Sequence, residues 1–164
     1  MMSTLPCIVL LRLYNGPSAS YYSMNISDTM SQIELNKSII QRYFQAYNNK
    51  NEAIFDDIIS PDYIDHGNNG KGIAGARNDL KFSLSIFDDI NYTIEDMIAS
   101  AGYPDLVGTY WKGLLTPNAT TSETLKSNKV INYRGMSIYR IQNGKMVEMW
   151  HVIEGWPLEL IPGE

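Results

Sequence analysis

Cysteine is almost missing from this chain of 164 residues, where Cys7 stands alone. A single thiol closes no internal disulfide and builds no cysteine-based zinc site. Histidine is scarce as well: His66 and His151 are the only two, so no multi-histidine metal centre forms within one chain. Runs of Lys or Arg are absent, and 13 basic residues against 18 acidic give a net charge of -5. A nucleic-acid binder carries the opposite footprint, a basic patch or stripe. The early apolar stretch Leu5-Pro6-Cys7-Ile8-Val9-Leu10-Leu11 falls far short of the ~20 residues that span a bilayer. No metal, nucleic-acid partner or membrane span is expected. What is present is a chain 44% hydrophobic and 19% charged, too apolar for disorder and of a length that suits one domain.

Residues 1–30 read as a poorly ordered extension ahead of a domain over 31–164. Met24 and Met30 are alternative starts. No positive residue precedes the early apolar stretch and Arg12 interrupts it, so a cytoplasmic protein is expected, with a cleaved secretory signal as the alternative. Sequons begin at Asn25, Asn36, Asn91 and Asn118, and they matter only in a secreted protein.

Ile33, Leu35, Ile39, Ile40, Tyr43, Phe44 and Tyr47 recur at helical spacing and predict a helix with one buried face. Ser31 with Glu34 three residues on reads as its capping box. A second short helix is expected over 53–59, stopping before Pro61. A loop over 70–75 precedes a third helix over 76–87, with Leu80, Leu84 and Phe87 as its buried stripe. Beyond Asp89 the period changes to two, and strands are expected over 91–100, 106–115, 129–141 and 146–153. A polar connection fills 116–128. Helices first and an antiparallel sheet afterwards predict an α+β domain with the helices on one face of the sheet.

The hairpin around Asn143-Gly144 allows its register to be argued. A two-residue loop sets Arg140 opposite Val147; a three-residue loop sets Arg140 opposite Glu148, a favourable cross-strand pair. The second register is preferred. It puts Ser137, Tyr139, Ile141, Val147, Met149 and His151 on one face, and Ile138, Arg140, Glu148 and Trp150 on the other. Ser137 and His151 then stand opposite each other at the end of a mostly apolar face. An imidazole there serves as a general base or orients a ligand; the alternative is a partly buried histidine bonded to a neighbour.

Several segments, in order, resemble the SnoaL-like polyketide cyclases (ester cyclase type) of the NTF2-like superfamily. They are Asn36-Lys37…Tyr43-Phe44, Pro61-Asp62-Tyr63-Ile64-Asp65-His66-Gly67, Ile73-Ala74-Gly75, and the run from Tyr139 to Trp150. The resemblance implies a cone: three N-terminal helices packed on a curved antiparallel β-sheet around an apolar pocket, commonly assembled as a homodimer or homotetramer. It implies cofactor-free acid/base chemistry, in which a strand-end carboxylate helps an enol form and a carbon–carbon bond close. That carboxylate position falls on His151 here, and a second pocket position, a histidine in the family, falls on Ser137. Both have changed, although an imidazole can still exchange a proton. Glu154 falls on a family acidic position, either orienting His151 or acting as the acid, or else is a solvated strand-end carboxylate. Tyr139, Met149, His66, Tyr63, Trp111 and Tyr133 join Ser137 as candidates to line the pocket. Adjacent in a strand, Asp65 and His66 point to opposite faces and do not form a dyad with each other.

The functional expectation is a cyclase, isomerase or hydratase acting on a small hydrophobic carbonyl compound. A non-catalytic small-molecule-binding module and a structural or oligomerisation domain stand beside it as alternatives.

Overall fold

Helix formation begins earlier than the capping pattern predicts. In the computed structural model, which describes residues 26–160, the first helix, α1, runs Ile26–Asn48. Ser31 is therefore not a cap. It lies within the helix and its hydroxyl donates to the Ser27 carbonyl at 2.9 Å, the back-bond available to serine inside a helix. The expectations for Cys7, Met24 and Asn25 lie outside the described residues. On α1 the buried face carries Ile33, Ile40, Tyr43, Phe44 and Tyr47, whereas Leu35 is exposed. Asn36 takes a core-facing position instead. Its amide donates to the Pro104 carbonyl at 2.7 Å and accepts from Gln32 at 2.9 Å, so its burial leaves no orphaned group.

A short helix α2, Ile54–Ile58, buries Phe55 and Ile58. The chain then passes straight through Pro61 as strand β1, Ile59–Asp65. Proline is tolerated there because β1 is an edge strand. Helix α3 runs Gly72–Ile86, starting inside the stretch 70–75 expected to be loop. Strands β2 (Phe87–Ser100), β3 (Tyr103–Pro117), β4 (Ile131–Gln142) and β5 (Lys145–Glu154) follow. The connection over 116–128 is not wholly irregular: α4, Ala119–Leu125, starts at Asn118, whose side chain accepts from the Thr121 N–H. A 3-10 turn, Leu158–Leu160, ends the described chain.

The strands form one curved sheet in the order β1-β5-β4-β3-β2. Neighbours are antiparallel except β1 and β5, which run parallel with Asp65 opposite Met149. The expected all-antiparallel sheet thus gains a parallel edge strand. Along β4 the period-two pattern is clean: Tyr133, Gly135, Ser137, Tyr139 and Ile141 are buried, and Arg134, Met136 and Ile138 are exposed. The helices cover the buried face. Between the layers lies an aromatic core with edge-to-face contacts, among them Trp111–Tyr133 at 5.3 Å and Phe44–Trp111 at 6.3 Å between centroids. Such pairs add about 0.5–1.5 kcal/mol each beyond their burial. Gly135 makes room for this layer: a Cβ there would sit 2.4 Å from the Trp111 ring.

The hairpin combines both registers considered for it. Asn143 and Gly144 have φ of 51° and 73°, and Gln142 pairs with Lys145, which makes a two-residue type I′ loop in place of the preferred three-residue one. A register shift next to Arg140 then leaves Val147 as an extra residue, sets Ile141 opposite the fully buried Met146, and restores Arg140 to Glu148. A bulge of this kind changes which residue faces in. Met146, not Val147, occupies the inward site, while Ser137 still stands opposite His151 and Tyr139 opposite Met149.

At the far edge of the sheet, Asn48 closes α1 onto β2. Its amide donates to the Tyr92 carbonyl at 2.9 Å and its oxygen accepts from the Tyr92 N–H at 2.7 Å.

Candidate functional site

The helices and the buried sheet face leave a cavity of about 710 Å³ between them. Its walls are mostly aromatic. Tyr43, Phe44 and Tyr47 come from α1, Tyr92 from β2, Trp111 from β3, and Tyr133 and Tyr139 from β4. Trp156 covers one end, packed edge-on against Phe87 and Tyr133. Period-two alternation delivers the β4 and β5 residues to this wall, and helical spacing delivers Tyr43 and Tyr47, whose hydroxyls meet at 3.3 Å.

Burial governs the phenols of this wall. It raises Tyr47, Tyr133 and Tyr139 above the ordinary range, and pushes Tyr92 up to about 12 against the lowering effect of its hydrogen bond with Tyr133. The Tyr92 and Tyr133 hydroxyls are in close contact. The tyrosines are thus neutral donors, not anions, at any ordinary pH. Ser137 serves this wall as well. Its Oγ accepts from the Trp111 indole N–H at 2.9 Å.

His151 projects from β5 into the cavity, its side chain 15% exposed. Ser137 is its neighbour across the ladder, but the polar group paired with its ring is Asp65. The His151 Nδ1 to Asp65 Oδ1 distance is 3.8 Å, and the Asp65 side chain is fully buried. This is ion-pair range, longer than a hydrogen bond, and such contacts tighten in substrate complexes. The same Oδ1 accepts the N–H groups of Gly67 (2.8 Å) and Asn68 (3.2 Å), which ties the loop after β1 to the carboxylate. Asp65 Oδ2 is buried with no hydrogen-bond partner. Gly67 lies directly against the imidazole: a Cβ there would be 2.3 Å from His151 Cε1 and Nε2.

A second carboxyl faces the same space. Asp79, on α3, lines the cavity, and its pKa is pushed up to about 6, first by burial and then by the charge of Asp65, with a hydrogen bond from Asn68 opposing. The cavity therefore has a long aromatic wall and one acidic end that holds Asp65, Asp79 and His151.

Of the residues expected at the site, His151, Ser137, Tyr139, Met149, Trp111 and Tyr133 are brought together around the cavity. Three are not. His66 lies on the outer face of the sheet, stacked on Trp150 at 4.6 Å and 3.4 Å from Glu148, because its chain neighbour Asp65 takes the inward position. Glu154 also points outward: it sits opposite Arg134 in the ladder and pairs with that guanidinium at 2.9 Å, a hydrogen bond that lowers its pKa. It neither touches His151 nor faces the cavity. Tyr63 is buried in the core beside Asp65, outside the cavity lining. Burial, then the Asp65 charge, raises its phenol, and its hydroxyl has no partner.

Asp65 and Asp79 escaped sequence reasoning. The signal for Asp65 was at hand: if His66 faces out, its neighbour faces in, and only the parallel pairing of β1 with β5 was needed to set it beside His151. Asp79 gave no signal, being one polar residue on a helix whose predicted start, at 76, lies four positions after the observed one. Among the described residues no group of three or more His, Cys, Asp or Glu could hold a metal ion, and no helix is long and apolar enough to cross a membrane.

The comparisons with known proteins agree with this architecture. The sequence pattern of the SnoaL-like polyketide cyclases matches residues 37–160. The fold is similar to that of TsrD from Streptomyces laurentii, with 16% identity, 74% of this chain and 89% of that chain covered, and a TM-score of 0.62. It is similar to a SnoaL-like polyketide cyclase from Agrobacterium tumefaciens (14% identity, 73% and 91% covered, TM-score 0.61). AclR, a candidate hydroxylase from Streptomyces galilaeus, is similar too (19% identity, 77% and 83% covered, TM-score 0.62). No curated protein sequence matches the chain. With the family pattern covering most of its length and the helix-on-curved-sheet cone in place, this chain belongs to the SnoaL-like polyketide cyclase family.

Proposed function

We propose that the protein is an acid/base enzyme of the cyclase, isomerase or hydratase type that needs no cofactor and acts on a hydrophobic, polyketide-like carbonyl compound. One observation carries the reading: an imidazole, His151, stands at the acidic end of a 710 Å³ aromatic cavity with the buried carboxylate of Asp65 behind its Nδ1. The carboxylate orients the ring and stabilises the imidazolium that forms when Nε2 takes a proton from carbon next to a carbonyl. The aromatic wall holds the substrate's apolar body, and the neutral tyrosine hydroxyls supply donors for its oxygens.

The apolar residues Ile98, Met136, Ile138 and Val152 are exposed on the other face of the sheet. That face supports the reading of a homodimer or homotetramer, in which a second copy of the chain covers it. A cytoplasmic location completes the reading.

A thermal-shift screen with polyketide-like esters, small aromatic acids and terpenoid carbonyls tests the function, run on wild type and His151→Ala together. A ligand at 100 times its Kd adds about 2.7 kcal/mol of stability. The expected result is a ligand that wild type converts and that His151→Ala, with its fold intact, converts at least about 100-fold more slowly. Unchanged conversion in the variant overturns the role of His151. A ligand held equally by both proteins and never converted supports a binding module instead.

A further inference from the structure

We propose that the acidic end of the cavity receives the hydroxyl of a β-hydroxy ketone, and that the protein removes it as water with His151 as base and Asp79 as acid. The inference rests on the acid/base reading of His151 and names the substrate class and the second catalytic group. Two features of the structure support it beyond that reading.

The first is an orphaned acceptor. Asp65 lines the cavity and is 1% exposed; its Oδ1 accepts two loop N–H groups and lies in ion-pair range of His151, while its buried Oδ2 has no partner. A buried carboxylate oxygen left unpaired is costly, and a ligand that brings a donor to it recovers that cost. A plain ketone has no donor to offer, whereas a hydroxyl has one. The second is the placement of Asp79. Its Oδ2 and the Asp65 Cβ both pack on Gly70, at 3.4 and 3.6 Å from the point where a Cβ on that glycine would sit. Both carboxyl side chains thus converge on Gly70 at the same end of the cavity, where a hydroxyl that donates to Asp65 has Asp79 as its neighbouring acid. Burial and the neighbouring Asp65 charge favour the protonated form of Asp79, which is the form that can donate.

The step balances without any further reactant. His151 Nε2 removes the proton from the carbon between the carbonyl and the hydroxyl-bearing carbon. The freed electron pair forms the carbon–carbon double bond, the carbon–oxygen bond breaks, and the Asp79 proton passes to the departing oxygen. Water and a conjugated enone leave, and the imidazolium returns its proton to Asp79 through solvent. The reverse sequence is hydration of the enone.

The test uses the full chain and three probes: the aldol adduct of acetone and a naphthaldehyde, its analogue lacking the hydroxyl, and its analogue with an amine in place of the hydroxyl. Calorimetry on wild type is expected to show the hydroxy ketone binding about 10- to 100-fold more tightly than the deoxy analogue. The preference persists in Asp79→Asn, because Asp65 still accepts. Enone absorbance is expected to grow with wild type and to be lost in Asp79→Asn despite unimpaired binding. Equal affinity for the hydroxy and deoxy probes, tightest binding by the amine, no enone from wild type, or undiminished enone formation by Asp79→Asn each overturns the proposal. Failure of the underlying reading looks different: His151→Ala then forms enone as fast as wild type.

Discussion

Two neighbouring residues, Asp65 and His66, build two histidine–carboxylate pairs on opposite faces of one sheet, and the pairs have little in common. Inside, Asp65 meets His151 at 3.8 Å with a fully buried carboxylate and one oxygen unpartnered. Outside, His66 meets Glu148 at 3.4 Å with about a third of each side chain exposed, and Glu148 is also held by Arg140 at 2.7 Å. The outer pair is the shorter and better satisfied of the two, yet it is the one with nothing to act on. Water screens it, Trp150 fills the space over the imidazole, and neither side chain lines the aromatic cavity. The proposed function falls to the less comfortable pair, whose unpaired acceptor and adjoining space leave something for a substrate to complete.

The comparison is broken or sharpened by changing one side at a time. The largest effect is expected from the inner carboxylate. Asp65→Asn keeps an acceptor for the Gly67 and Asn68 N–H groups but removes the charge behind His151, and turnover falls roughly 100-fold. The matching outer change, Glu148→Gln, leaves turnover unaltered and costs less than about 1 kcal/mol of stability. Paired rate and denaturation measurements decide; equal losses of turnover in the two variants would erase the distinction between the faces.

A smaller effect is expected at Gly67. Alanine there puts a carbon 2.3 Å from the His151 ring, so the imidazole must move off its position over the loop. Turnover drops about tenfold as the base leaves its working geometry, and the His151 ring signals shift in an NMR spectrum while those of His66 stay in place. A ring that does not move would show that the loop yields instead.

The smallest effect concerns stability. Asp79 holds its proton up to about pH 6 in the folded chain against an ordinary value of 3.8. Between those values the folded state binds the extra proton, so stability falls as pH rises from about 4 to 6 and the cost is constant above. Asp79→Asn removes that cost. With allowance for solvent screening, the variant is expected to be more stable than wild type by on the order of 1 kcal/mol at pH 7.5. The difference vanishes below about pH 4. Thermal melts across this range check it, and a variant less stable at pH 7.5 would contradict it.

Much of this contrast was legible in the sequence, and the gaps have physical causes. Alternation along Ser137, Tyr139, Met149 and His151 is a strand property written residue by residue, and it put on one wall four groups that line the cavity. The bulge at Val147 was not legible, because the two loop lengths differ by a single residue and the structure uses the short loop and then inserts the residue further on. Strand β1 lies outside the segments where the period-two pattern predicts strands. Its pairing with β5 joins positions more than eighty residues apart, as the His66–Glu148 separation of 82 shows, and nothing local announces such a partner. Glu154 was placed by family position, and the ladder then turned it towards Arg134. A residue's place in a motif does not fix the face it occupies.

The amide of Asn48 has one more consequence. Strand β2 is the long free margin of the sheet, fourteen residues with backbone groups facing outward, the kind of margin onto which another extended chain can zip and from which fibrils grow. By bonding both the N–H and the carbonyl of Tyr92, the Asn48 side chain imitates one peptide unit of a sixth strand and goes no further. Midway along the margin the template is already occupied, so a foreign strand finds two short stretches in place of one continuous ladder. A single side chain at the end of α1 thereby guards the molecule against growing at its own edge.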